Sequence, residues 1–128
     1  MIVLDTHAWV WWAAEPERLS SKARSAIEEA DALGVSPISC WEVAMLVTHR
    51  RLEFDRDTLV WIRQALVFPR LALLPVTPEV AVAAAHFPPE FPGDPADRLI
   101  AAAALAERAP LVTKDRHLRS SPILSTIW

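Results

Sequence analysis

Short, wholly apolar runs alternate along this chain with longer stretches in which apolar residues recur every third or fourth position. That rhythm predicts buried parallel strands separated by helices. Ile2–Leu4 is the first run and ends on Asp5. Thr6 stands where it can cap a helix running through Trp9, Trp11 and Trp12 to about Ala14. Beyond a turn over 15–19, Ser20 or Ser21 opens a second helix with Ala23, Ala26, Ile27 and Ala30 as its apolar stripe. Residues 33–36 read as a second strand that Pro37 closes. Ser39 then caps a helix over 41–49 whose apolar face is Val43, Leu46 and Val47, and a further helix spans 58–67. Residues 71–76 form the third strand, and Thr77-Pro78-Glu79 is a helix start with a capping hydroxyl and a proline at the first helical position. A proline-rich loop covers 87–92, Asp94-Pro95 opens an alanine-rich helix to about Arg108, 111–113 is the fourth strand, and 123–128 suits an edge strand.

This order predicts a single domain over residues 1–128. Its architecture is an α/β/α sandwich, doubly wound around a parallel sheet of four to five short strands. Ligands in such folds bind beyond the carboxyl ends of the strands, at the crevice where strand order reverses.

Composition narrows the chemistry mainly by exclusion. With 128 residues, 52% of them hydrophobic and 23% charged, the chain can bury a core without disulfides or a structural metal. Its formal charge of −3 argues against a protein that coats nucleic acid, although eleven of its thirteen basic residues are Arg, the better phosphate binder. The single Cys40 forbids an internal disulfide, suits a reducing compartment and reads as an inert core thiol. No signal-peptide pattern precedes Asp5 and no apolar run reaches membrane-spanning length, so a soluble, cytoplasmic protein is expected. Gly34 and Gly93 are the only glycines, which removes the P-loop and the dinucleotide fingerprint. His7, His49, His86 and His117 lack zinc spacing, and no G-x-S-x-G elbow occurs.

Four acids remain: Asp5, Glu42, Asp97 and Asp115. Each is placed where a strand pattern gives way to a helix or loop, on one predicted edge of the sheet. Each also has a plain alternative. Asp5 suits a helix cap, and Ser39-Cys40-Trp41-Glu42 fits a capping box in which the Glu bonds back to the cap. Asp97 fits an acid in a first helical turn, and Asp115 a turn residue. Together they point further, because carboxylates gathered on one edge repel unless a cation is shared. A hard, oxygen-preferring ion such as Mg²⁺ or Mn²⁺ suits such a set. An ion so held can make water nucleophilic and neutralise charge on a phosphodiester.

Neighbouring residues could assist. Thr6, Ser39 and Thr113 stand beside the acids, where a hydroxyl can hold a metal-bound water as well as cap a helix. Asp94 is better placed to cap, with a peripheral metal role as the alternative. Arg98 and Lys114 adjoin acids, and Arg50, Arg51, Arg116 and Arg119 are placed to flank a nucleic-acid track or simply to solvate the surface. Core packing accounts for Trp41 and Trp61, whereas Trp9, Trp11 and Trp12 span too wide an arc for one helix face, so part of that trio is expected to meet a partner.

Four segments carry a resemblance. Met1-Ile2-Val3-Leu4-Asp5-Thr6-His7, residues 36–44 (Ser-Pro-Ile-Ser-Cys-Trp-Glu-Val-Ala), residues 93–101 (Gly-Asp-Pro-Ala-Asp-Arg-Leu-Ile-Ala) and Leu111-Val112-Thr113-Lys114-Asp115 resemble the PIN-domain ribonucleases, in particular the VapC toxins of VapBC toxin–antitoxin pairs. The similarity extends to the closing Thr126-Ile127-Trp128. It implies a PIN-like fold and a Mg²⁺- or Mn²⁺-dependent endoribonuclease. Asp5, Glu42 and Asp97 match the family's acidic triad, and Asp115 its more variable fourth acid. The resemblance also implies a homodimer restrained by a VapB-type antitoxin. Two positions depart from the pattern: Pro92 stands where a histidine is often found, and Ala101–Ala104 lacks the polar residue common among those alanines.

Rival readings fit less well. A phosphatase of the haloacid dehalogenase type needs a second acid two residues after the first, and His7 is there instead. A receiver domain needs an acid pair at the first strand and a phosphoacceptor at a middle one, and Lys114 alone fits. The alternative from another class is a catalytically silent PIN module that binds RNA or a partner protein; the intact acids count against it.

Overall fold

The computed structural model describes all residues from Met1 to Trp128. Five strands, β1 (Ile2–Leu4), β2 (Leu33–Val35), β3 (Leu71–Leu73), β4 (Leu111–Val112) and β5 (Thr126–Ile127), form one sheet in the order β3-β2-β1-β4-β5. All four pairings are parallel. Seven helices connect them: α1 (Thr6–Ala14), α2 (Ser21–Glu29), α3 (Pro37–Thr48), α4 (Thr58–Leu66), α5 (Pro78–Ala85), α6 (Pro95–Ala106) and α7 (Arg116–Arg119). The expected α/β sandwich is therefore present. No helix is long and apolar enough to cross a membrane.

Alternation along β1 divides the core into two layers. Ile2 and Leu4 face a cluster with Trp9, Ala23, Ile27, Val43 and Trp61, while Val3 faces Ile100, Ala101, Ala104, Leu111 and Leu118 on the other side. The alanines of α6 earn their place here, since small side chains let that helix lie close against the sheet. Gly34 is in β2 because a Cβ there would come within 2.7 Å of Leu74 Cδ1.

Several local expectations are corrected. β3 stops at Leu73 because Pro75 cannot donate to the ladder, although Leu74 still donates to the Val35 carbonyl at 2.8 Å. β5 is shorter than the apolar run that predicted it. Asp5, not Thr6, caps α1, its carboxylate accepting from the Ala8 amide at 2.8 Å. α3 begins four residues earlier than expected: Ser36 is the cap, and Pro37 occupies the first helical position, where its missing N–H costs nothing.

The phase of α3 decides which of its residues are buried. Ser39 and Val43, one turn apart, face inward, and Trp41 lies about 200° round the helix from Ser39. Trp41 is accordingly 56% exposed rather than core, and Cys40 is half-buried. Trp9, Trp11 and Trp12 all find partners inside the chain, against Trp61, Trp128 and Phe68.

Candidate active site

Parallel strands deliver their carboxyl ends to one edge, and the crevice beside β1 is where the strand order reverses. Asp5 follows β1 directly and is buried. Glu42 reaches the crevice from the second turn of α3, and Asp115 follows β4 and caps α7 through the Leu118 amide at 3.0 Å. Asp97 is the exception to the expected strand-end rule. It arrives on the first turn of α6, after a helix and the proline-rich loop, and α6 packs against both β1 and α3.

The hydroxyls form specific struts. Thr6 is at the first position of α1, and its Oγ1 donates to Glu42 Oε1 and contacts Ser39 Oγ at 2.9 Å. Glu42 is thus held across two helices, not folded back on its own cap, which removes the capping-box reading. Ser39 is fully buried and does not cap. Thr113, also fully buried, accepts from the Asp115 amide at 3.1 Å, and its hydroxyl favours the ionised form of Asp5. Asp94 caps α6 through the Ala96 amide at 2.8 Å while remaining exposed beside the acids.

Electrostatics tie the scattered acids into one unit. Burial pushes the Asp97 carboxyl up to about 7, and the charges of Asp94, Asp115, Glu42 and Asp5 add to the effect. Burial likewise raises Glu42 and Asp5, against the pull of the Thr6 hydroxyl on Glu42 and of Thr113 and the Ala8 amide on Asp5. No hydrogen-bond donor stabilises an ionised Asp97. No three of these groups stand close enough to enclose an ion as they are. A cation shared among like charges relieves their mutual repulsion. The donor set is all oxygen and chiefly anionic, matching a hard divalent ion.

Arg98 does not join this cluster. Its guanidinium turns away and donates to the carbonyls of Pro92 at 2.8 Å, Ala84 at 3.2 Å, and Phe87 and Phe91 at 3.4 Å each. It thereby pins the proline-rich loop that leads into α6. Conversely, His7 was overlooked as a site residue. It is exposed beside the acids, and its charge lowers both Asp5 and Glu42. Its place two residues after a strand-ending Asp was the available signal.

A groove of about 730 Å³ opens against Glu42 and Asp94, walled by Ile38, Trp41, Met45 and Leu46 with His7, His49 and Arg51 at its margin. Trp41 and Met45 of α3 and its C-cap His49 follow one another at four-residue spacing along the groove.

Comparison with known proteins places this arrangement. The family model for the PIN domain matches residues 2–123. Ribonuclease VapC22 of Mycobacterium tuberculosis (strain ATCC 25618 / H37Rv) is 46% identical over 129 residues, covering 99% of this chain and 98% of the relative. The crystal structure of VapBC2 from Rickettsia felis bound to a promoter DNA fragment contains a chain that aligns with a TM-score of 0.71 at 20% identity, over 98% of this chain and 97% of that one. A toxin–antitoxin complex from Klebsiella pneumoniae aligns with a TM-score of 0.65 at 16% identity, over 95% and 93%. At those identities the two structures speak for the fold, and the family model and the nearer relative for the lineage. The chain belongs to the PIN-domain family and, within it, to the VapC group.

Proposed function

We propose that the protein is a Mg²⁺- or Mn²⁺-dependent endoribonuclease acting as the toxin of a toxin–antitoxin pair. The observation that carries this reading is Asp97, a carboxyl pushed up to about 7 among four other acids and without a hydrogen-bond donor. Such a cluster is costly unless a cation occupies it. The name of the 46%-identical relative, a ribonuclease, supplies the reaction class. Asp5, Asp97, Glu42 and Asp115 would hold the ion. When bound, it makes a water nucleophilic and neutralises charge developing on the scissile phosphate.

The chain's own residues set the geometry. Thr6 and Ser39 orient Glu42, Thr113 orients Asp5 and the Asp115 backbone, and Asp94 fixes the start of α6 so that Asp97 points into the crevice. Arg98 anchors the loop behind it. The half-apolar groove beside Glu42 suits an apolar anchor from a VapB-type antitoxin, and exposed Leu73, Val76 and Val82 support a homodimer along the β3 and α5 side.

Purified protein should cut RNA with Mg²⁺ or Mn²⁺, and both Asp5→Asn and Asp97→Asn should abolish the cut. Cleavage that persists in EDTA or in both variants rejects the mechanism. RNA binding without any cleavage would favour the silent module.

A further inference from the structure

Away from the acids, Lys22 of α2 and Arg116 and Arg119 of α7 converge on a pocket of about 370 Å³ completed by Ser120, Thr126 and Trp128. No acidic side chain lines it. None of the three cations has an Asp or Glu side chain within 4.0 Å; the ion pairs of the chain engage Met1, Arg18 and Arg56 instead. Three uncompensated like charges around one concavity repel each other, and an anion between them relieves that repulsion.

The position tells which anion. α7 follows directly from Asp115, and Trp128 follows β5, which pairs with β4. The pocket therefore lies on the same carboxyl edge of the sheet as the acids, on the flank beyond β4. A polyanionic strand brought to a cluster of carboxylates is repelled there and needs cationic anchorage close by. Arg116 and Arg119 offer planar forks suited to phosphate oxygens, and Ser120 and Thr126 add hydroxyls. Trp128, braced against Trp11 with ring centroids 5.8 Å apart, adds an aromatic surface of the kind that accompanies single-strand binding.

We infer that this pocket binds a backbone phosphate of single-stranded RNA flanking the scissile bond. The inference rests on the ribonuclease reading and adds to it a second, metal-free anchoring point. Phosphate carries no sequence information, so the pocket supplies grip, leaving the choice of bases and of the cut position to other parts of the site.

The test is a Lys22→Gln/Arg116→Gln/Arg119→Gln chain, with each single variant alongside; all three positions are exposed, so folding is preserved and is checked by thermal melting. Binding of a short fluorescein-labelled single-stranded RNA is read by anisotropy in an Asp97→Asn background, which leaves the RNA intact. Affinity should fall at least about tenfold, and the log–log salt slope should flatten by about 0.7, one single-strand phosphate's worth. In the cleaving chain the loss should appear in KM, with the cut position unchanged. Unchanged affinity and slope in a folded triple variant would overturn the inference while leaving the ribonuclease reading intact. So would retained RNA affinity with lost binding of an acidic peptide, which would mark a protein-docking site. An intact chain that binds no RNA would remove both readings.

Discussion

Asp97 and Arg98 are consecutive residues in the first turn of α6, and their surroundings are opposite. Arg98 is surrounded by acceptors: four backbone carbonyls take its donors, and Phe91 lies 5.8 Å from its guanidinium carbon. Asp97 has no donor and four acidic neighbours. One side chain completes the fold, and the other is left in a conflict that the fold alone does not resolve. Charge placed where the chain cannot satisfy it marks a site for something from outside. Charge fully satisfied by local backbone marks architecture.

That contrast can be broken in both directions. The largest effect should come from Asp97→Asn. RNA cleavage should fall by about 10³-fold or more, several kcal/mol of lost charge stabilisation, while the metal-free fold gains about 1 kcal/mol as the repulsion disappears. Parallel rate assays and urea melts separate the two. Next comes Arg98→Ala, which should cost about 2–4 kcal/mol of stability, because it removes charge-assisted bonds and leaves the loop carbonyls unpartnered. If Arg98→Ala melts normally yet loses activity, Arg98 belongs with the site and the contrast fails.

Thr6→Val should have a smaller consequence. It releases Glu42 from α1, and activity should drop about 10–100-fold, in the range seen when residues supporting a metal ligand are removed. Stability should fall by about 1–2 kcal/mol, because the buried Ser39 hydroxyl loses its partner. The smallest effect is on pH dependence. Asp97 keeps its proton up to about pH 7 in the folded chain, against an ordinary value of 3.8. Between those values the folded state binds more protons than the unfolded, so metal-free stability should fall as pH rises through that window. Mn²⁺ should reverse the trend by taking the deprotonated carboxylate. Denaturation midpoints across the window, with and without Mn²⁺, check the sign, and Asp97→Asn should flatten the metal-free slope.

Much of the layout was legible in the chain. Ile2–Leu4 running into Asp5 and Leu111–Val112 running towards Asp115 are buried strands with polar ends, and hydrophobic runs of that kind admit few alternatives. Where the reading slipped, a local rule had two meanings. Pro37 reads as the close of a strand, yet proline is equally at home opening a helix. Starting the helix at 41 makes Ser39 the cap and puts Glu42 in a capping box, which the observed start at Pro37 removes. The Thr6 contact to Glu42 joins residues 36 apart in sequence, and Arg98 depends on carbonyls that converge only in the folded loop. Neither leaves a periodic trace. Asp97 is legible in its motif, but its protonation depends on its burial first, then on Asp94 at the start of its own helix and on Asp115, Glu42 and Asp5, which only the assembled sheet edge brings near.

The most direct test of the whole account is a single Mn²⁺ titration read two ways, by thermal midpoint and by RNA cleavage, on the intact chain and on Asp97→Asn. Midpoint and cleavage should rise together with one half-saturation in the intact chain, and both responses should be lost in the variant. Full cleavage in EDTA, or equal Mn²⁺ responses in the two chains, would contradict it.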